Sequence, residues 1–238
     1  MAQKDRIIFA LDVGDRDSAK KWVHLLQGSV GWFKVGLELF TAVGPDIIKL
    51  VKDQGIRCFL DLKLHDIPNT VAGAVRSASR TGVDMMTIHL SGGREMIAAA
   101  LLAARNEARA RGIDRPKVVG VSVLTSLGAS DLKEVGIDRT PLDQVARLAQ
   151  FAASCGIDGM VCSAEDLAGI RSTVPPSLML ITPGIRPNWS GKGDQKRIAT
   201  PASAIRAGAD LLVIGRPISE APDPVDAVNR IVAEMESA

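Results

Sequence analysis

The fold of this chain is decided by residues 56–70, which read IRCFLDLKLHDIPNT. An apolar run leads into three charged residues, Asp61, Lys63 and Asp66, and the chain then turns. A helical pattern follows over Asn69–Arg80, so the segment predicts one β-strand followed by one α-helix. On a strand, Asp61 and Lys63 lie two residues apart and therefore face the same side.

The same strand-then-helix pattern occurs eight times. The apolar runs are nearly continuous, as in strands buried on both faces, and comprise Ile7–Val13, Gly31–Gly36, Cys58–Leu62, Met85–Leu90, Val118–Leu124, Gly159–Ser163, Leu178–Ile185 and Leu211–Gly215. The helical patterns comprise Asp17–Leu26, Pro45–Gln54, Asn69–Arg80, Arg94–Arg111, Pro141–Cys155, Ala164–Ser172, Pro201–Ala207 and Asp223–Glu236. Eight such units predict a (β/α)8 TIM barrel, with residues 1–238 forming a single domain. The alternative is an open doubly wound sheet, but six strands are more usual there and no Gly-x-Gly-x-x-Gly follows the first strand.

The composition argues against a nucleic-acid-binding protein, a membrane-spanning protein and a disulfide-stabilised protein. The net charge is only +2 and the chain contains no Tyr, so we expect neither a nucleic-acid partner nor a base-stacking surface. No run of about 18 apolar residues occurs, so we expect no membrane span. The three cysteines, Cys58, Cys155 and Cys162, form no Cys-x-x-Cys pair, which favours a reducing cytoplasm over a disulfide framework.

Charged residues collect at the predicted strand ends. In a TIM barrel the chemistry lies at the carboxyl ends of the strands. Those positions hold Asp12, Lys34, Asp61, Lys63, His89, Thr125, Ser163, Pro183, Gly215 and Arg216. Four of them, on the first three strands, alternate between Asp and Lys. A structural salt-bridge network is the alternative, but four paired charges on neighbouring strand ends favour a functional site.

A phosphate site is predicted at the end of the eighth strand. Gly215 lets the backbone approach an anion, and Arg216 supplies a forked cation. The long loop Pro183–Lys196 resembles a lid and carries further polar and cationic groups, namely Arg186, Lys192, Gln195 and Lys196. No cluster of His, Asp and Glu has metal-ligand spacing, so we predict no metal site.

These residues resemble a known family. The segment from Asp61 to Thr70 is similar to the signature of the orotidine 5′-phosphate decarboxylases. Further similar segments are Leu11-Asp12, Phe33-Lys34-Val35-Gly36, Thr125-Ser126, Thr182-Pro183-Gly184-Ile185-Arg186-Pro187, Gly193-Asp194-Gln195 and Ile214-Gly215-Arg216. Each piece is weakly specific, but their combination is highly specific.

The resemblance implies cofactor-free decarboxylation of orotidine 5′-phosphate to UMP and CO2, the last step of de novo pyrimidine nucleotide synthesis. It implies a charged array of Lys34, Asp61, Lys63 and Asp66, in which Lys63 protonates C6 of the pyrimidine. It also assigns substrate-binding roles to further residues. Asp12 and Lys34 would bind the ribose hydroxyls and Thr125 the base, Pro183 would contact the substrate, and the phosphate would be clamped by Arg186, Gln195, Gly215 and Arg216.

Family members are dimers, and the resemblance implies that Asp66, Ile67 and Thr70 reach into the partner's site. Two alternatives remain. A magnesium-dependent 3-keto-gulonate 6-phosphate decarboxylase shares the Asp-x-Lys-x-x-Asp motif but carries a carboxylate near the end of strand two, where this chain has Lys34. A non-catalytic phosphate-binding barrel is the other, although every proposed catalytic group is present.

Overall fold

The computed structural model describes residues 2–190 and 199–238, and within them eight parallel strands close into a barrel. Each strand pairs with its sequence neighbours, and β1 pairs with β8. The strands are β1 (Ile7–Leu11), β2 (Trp32–Gly36), β3 (Arg57–Leu64), β4 (Met85–His89), β5 (Lys117–Val121), β6 (Gly159–Val161), β7 (Met179–Thr182) and β8 (Leu211–Ile214). The predicted (β/α)8 barrel is therefore confirmed, and an open sheet is excluded.

Helices follow each strand on the outside of the barrel. Those in the described residues are α1 (Arg16–Leu26), α2 (Leu37–Val43), α3 (Asp46–Lys52), α4 (Pro68–Arg80), α5 (Gly93–Arg111), α6 (Ala129–Glu134), α7 (Pro141–Cys155), α8 (Ala164–Ile170), α9 (Pro201–Arg206), α10 (Arg216–Ser219) and α11 (Pro224–Glu236). Short 3-10 helices span Gln3–Arg6, Leu90–Gly92 and Arg171–Thr173. Three of the α-helices, α2, α6 and α10, were not predicted. Each buries only one or two residues and so shows little apolar periodicity, whereas the predicted helices α3, α8 and α9, of similar length, bury three or four. None of the described helices is long and apolar enough to cross a membrane.

The core has two layers. Apolar side chains on the outer strand faces pack against the helices and form the larger layer. Inside the barrel, a smaller layer of inward side chains fills the interior, namely Ile8, Trp32, Phe59, Met85, Val119, Ile181 and Leu211. This interior packing supports the inward-facing residues two positions further along the strands, such as Ala10, Lys34 and Asp61, which line the barrel mouth.

At the opposite end, three strands are introduced by the same short motif. The segments 82–84, 156–158 and 208–210 all read Gly-x-Asp, and each Gly has a positive φ. Each Asp carboxylate accepts a hydrogen bond from the backbone N–H of the preceding strand: Asp84 from Cys58 at 2.7 Å, Asp158 from Val118 at 2.8 Å and Asp210 from Leu180 at 2.8 Å. Because each carboxylate links two adjacent strands, the motif fixes their relative height.

Each of these carboxylates also pairs with a cation. The pairs are Lys52 with Asp84, Arg115 with Asp158 and Arg171 with Asp210. In Asp84 and Asp158 both carboxylate oxygens have partners, whereas in Asp210 the backbone N–H and Arg171 share Oδ2. This arrangement makes the amino-terminal end of the barrel a stabilising face.

We predict that Asp158→Ala lowers the free energy of unfolding by about 2–3 kcal/mol, because the Val118 N–H loses its acceptor and Arg115 loses its partner. Asp53→Ala is the matched control. Asp53 pairs with Lys49 on the exposed surface, so its substitution should lower the free energy of unfolding by less than about 0.5 kcal/mol. Urea unfolding of both variants measures the difference, and equal losses would contradict the assignment.

Candidate active site

Four charged side chains form a continuous chain at the mouth of the barrel. The Lys34 Nζ lies 3.4 Å from Asp12 Oδ1 and 3.6 Å from Asp61 Oδ2, and the Lys63 Nζ lies 2.9 Å from the same Asp61 oxygen. We call these four residues the ion-pair array. The structure thus brings together the four strand-end residues that sequence reasoning singled out.

The array is graded in exposure. The side chains of Lys34 and Asp61 are each 12% exposed, that of Lys63 is 31% exposed and that of Asp12 is 66% exposed. Attraction between charges strengthens as water is excluded, so the Asp61 carboxylate is the anion held most firmly. Lys63 keeps enough access to meet a small molecule.

The backbone at Lys63 is unusual. Its φ is +52°, and it is the one non-glycine residue with positive φ in the described part of the chain. The pairing of β3 with β4 also shifts, from Leu60 opposite Met86 to Leu64 opposite Ile88. Four steps along β3 therefore span two steps along β4, which is a bulge. Bulges and strained backbone redirect side chains near functional sites. Simple alternation predicted the direction of Lys63 but not this distortion.

The array lines a cavity of about 260 Å³. The predicted phosphate-binding residues Arg186, Gly215 and Arg216 line the same cavity, together with Gly184. This region borders the array, because a Cβ added at Gly215 would lie 3.6 Å from Asp12 Oδ2. The carboxyl end of β7 is held there by an isolated bridge, in which the Arg186 N–H donates to the Ala199 carbonyl at 2.8 Å. The cavity lining thus contains two lysines, two arginines and two carboxylates.

The rest of the cavity wall is mainly apolar. Besides the predicted residues Thr125 and Pro183, its members are Ala10, Phe59, Val121, Val123, Leu124, Val161, Cys162, Ile185 and Val213. Sequence reasoning placed them in strands but not in the site, because a strand residue facing the mouth looks like any buried strand residue. Burial raises the pKa of the Cys162 thiol, so this side chain stays protonated and contributes an apolar surface.

Three predicted residues lie outside this cavity. Asp66, Ile67 and Thr70 are exposed on the turn after β3 and on the first turn of α4, and Asp66 Oδ1 accepts the Ile67 N–H at 2.6 Å. None of the three lines the cavity of its own chain. Gln195, Lys192 and Lys196 lie outside the described residues.

Two histidines stack beside the array. The ring centroids of His65 and His89 are 5.3 Å apart. Burial, then the neighbouring His65 and the Lys63 cation, lowers the pKa of His89 below its ordinary value of 6.5. His89 is therefore neutral near pH 7 and adds no positive charge to the array. In residues 2–190 and 199–238, no group of three or more His, Cys, Asp or Glu is arranged to hold a metal ion.

Comparisons with known proteins point in one direction. The family model for the orotidine 5′-phosphate decarboxylase / HUMPS family matches residues 5–231. An orotidine 5′-phosphate decarboxylase of Moorella thermoacetica is 51% identical over 237 residues, covering 99% of this chain and 94% of the relative. That of Syntrophotalea carbinolica is 47% identical and covers 99% and 96%. The crystal structure of the Lactobacillus acidophilus orotidine 5′-phosphate decarboxylase matches with a TM-score of 0.86 at 35% identity, over 96% of this chain and 98% of that one.

Proposed function

The chain belongs to the orotidine 5′-phosphate decarboxylase / HUMPS family, and from this premise we propose how its residues carry out the reaction. The activity is that of a carboxy-lyase, which converts orotidine 5′-phosphate to UMP and CO2 in pyrimidine biosynthesis. The observation that supports our assignment of roles is that the ion-pair array and two arginines, Arg186 and Arg216, line one cavity.

Residues around the predicted phosphate site anchor the nucleotide. Arg186 and Arg216 supply forked cations that match phosphate oxygens, and Gly215 leaves the backbone open to the anion. Gln195 completes this clamp in our proposal. Binding energy from the phosphate, distant from the reacting carbon, holds the pyrimidine against the array. The apolar wall with Thr125 and Pro183 receives the base, while Asp12 and Lys34 bind the ribose hydroxyls.

Lys63 carries the chemical step. Loss of CO2 breaks the bond between C6 and the carboxylate carbon and leaves its electron pair on C6. The fixed ammonium of Lys63 stabilises that charge and then donates a proton to C6, which leaves a neutral amine. Asp61 holds this ammonium at 2.9 Å and places negative charge beside the substrate carboxylate, which favours its departure. No cofactor is needed, since the array itself supplies both the stabilising charge and the proton.

The second subunit completes the site in our proposal. Ile67 is 66% exposed and Leu37, which follows β2, is 56% exposed, so large apolar side chains lie open beside the barrel mouth. We infer that these side chains are covered by the second subunit. In a two-fold dimer through this face, Asp66, Ile67 and Thr70 of each chain contact the partner's cavity. We place the dimer in the cytoplasm, with no nucleic acid or membrane as partner.

The alternative magnesium-dependent 3-keto-gulonate 6-phosphate decarboxylase is disfavoured by Lys34. Its ammonium lies 3.6 Å from Asp61. This chain therefore has a positive charge at the position where that enzyme has a carboxylate that binds the metal. A non-catalytic barrel is disfavoured by the high identity of the named decarboxylases.

We predict that the purified protein converts orotidine 5′-phosphate to UMP at the same rate with and without EDTA, because the array needs no metal. The loss of substrate absorbance measures turnover, and chromatography identifies UMP. Turnover that depends on added magnesium, or none at all, would overturn the proposal. Untreated enzyme supplemented with magnesium serves as the control.

We predict that Lys63→Ala lowers kcat at least about 1,000-fold, because both the stabilising cation and the proton donor are lost. The dissociation constant for UMP should change less than about tenfold, since the role of Lys63 is confined to the transition state. Steady-state kinetics and UMP titration measure the two effects. Lys49→Ala, on the exposed surface, controls for loss of a lysine, and near-normal turnover of Lys63→Ala would refute the assignment.

We predict that mixing inactive Asp66→Ala and Lys63→Ala chains restores about one quarter of wild-type activity, because half of the dimers are hybrids and each hybrid has one complete site. Mixing Lys34→Ala with Lys63→Ala is the control. Both of these residues belong to one chain's site, so no hybrid site is complete. Absence of recovery in the first mixture, with subunit exchange demonstrated by mass-tagged chains, would show that Asp66 acts within its own chain.

A further inference from the structure

A buried hydroxyl joins the two principal groups of the array. Thr87 lies on β4, and its side chain is buried, with the residue 1% exposed. Its Oγ1 accepts the backbone N–H of Lys63 at 2.8 Å and donates to Asp61 Oδ1 at 3.0 Å. A hydroxyl has one hydrogen, so accepting from Lys63 and donating to Asp61 fixes its orientation.

The hydroxyl lies where the sheet is irregular. Thr87 is the β4 residue between Met86 and Ile88, the two positions at which the register with β3 shifts. The Lys63 N–H is thus bound by a side-chain oxygen of β4. A buried N–H without an acceptor is costly, and a positive φ at a non-glycine residue persists only where its surroundings enforce it. Thr87 supplies the acceptor that the bulged strand requires.

The contacts close a ring. The Lys63 backbone donates to Thr87, Thr87 donates to one oxygen of Asp61, and the other oxygen of Asp61 binds the Lys63 ammonium at 2.9 Å. Both ends of Lys63 are therefore tied to one carboxylate and one hydroxyl. The methyl group on the Thr87 Cβ restricts χ1 rotation, which keeps the hydroxyl directed between the Lys63 N–H and the Asp61 carboxylate.

We propose that Thr87 is a positioning residue for decarboxylation, which holds Asp61 in place and maintains the left-handed backbone from which Lys63 reaches the reacting carbon. The inference rests on the proposed roles of Lys63 and Asp61. Thr87 acts through these two residues and does not line the substrate cavity. Its removal therefore affects the chemical step more than it affects nucleotide binding.

The test is a series of substitutions that keep the side chain small and vary its hydrogen bonding. Thr87→Val removes both hydrogen bonds at nearly constant shape, and we expect kcat to fall about 10- to 100-fold while KM stays within about threefold. Thr87→Ser keeps the hydroxyl. Because serine can make both hydrogen bonds, kcat should stay within about a few-fold of wild type. Thr87→Cys, with a weak donor and acceptor, should lie between them.

Ser79→Ala is the matched control, because Ser79 is also fully buried but donates only to the Val75 carbonyl within α4. It should leave kcat unchanged. If Thr87→Val does not fold, the kcat values of Thr87→Ser and Thr87→Cys test the inference, because the two side chains differ mainly in hydrogen-bond strength. If kcat is unchanged across the series, or follows side-chain volume instead of hydrogen bonding, the inference about Thr87 is overturned. The proposed function still stands in that case, provided that the wild-type enzyme turns over. Absence of wild-type turnover overturns both.

Discussion

The site depends on one physical constraint, which is that the buried carboxylate of Asp61 must be satisfied. Asp61 is only 9% exposed, and a buried charge is costly without partners. It receives Lys63, Thr87 and Lys34, which come from β3, β4 and β2 respectively. One carboxylate therefore ties three adjacent strands together at their carboxyl ends. The bulge in β3 and the positive φ of Lys63 occur where this requirement and regular strand pairing conflict. The free energy of the ion pairs and hydrogen bonds offsets the cost of that distorted backbone.

Carboxylates serve opposite purposes at the two ends of the barrel. At the amino-terminal end, Asp84, Asp158 and Asp210 bind backbone N–H groups, so their charge stabilises strand pairing and is unavailable to a ligand. At the carboxyl end, Asp12 and Asp61 bind lysine side chains, whose positions depend on rotatable bonds. A rigid base thus supports a concentrated set of charges at the mouth, because displacement of β2 alone would change the distances from Lys34 to both Asp12 and Asp61.

The architecture could be predicted from sequence because strands buried on both faces form apolar runs that repeat with the helices between them. The ends of those runs also located Asp12, Lys34, Asp61 and Lys63, whose proximity follows from strand adjacency alone. The ring through Thr87 could not be predicted, since a threonine in an apolar strand has no pattern that distinguishes it, and the contact depends on a register shift. The apolar wall was missed because Val121 or Val161 looks the same whether it faces the core or a cavity. The role of the Gly-x-Asp motif was not evident from sequence, because Gly44, Gly112 and Gly136 begin the same tripeptide elsewhere in the chain.

Charge balance connects the array with the proposed mechanism. Two ammonium groups and two carboxylates make the array neutral when the site is empty, and a partner's Asp66 would add one negative charge. A substrate carboxylate placed beside Asp61 would then enter a site with no spare cation for it. In the proposed complex the phosphate binds Arg186 and Arg216, and the free energy of that binding offsets the repulsion. Departure of CO2 moves the negative charge from the carboxylate onto C6, towards Lys63 and away from Asp61. The same fixed charges therefore oppose the bound carboxylate and favour the carbanion, which is the differential stabilisation that catalysis requires.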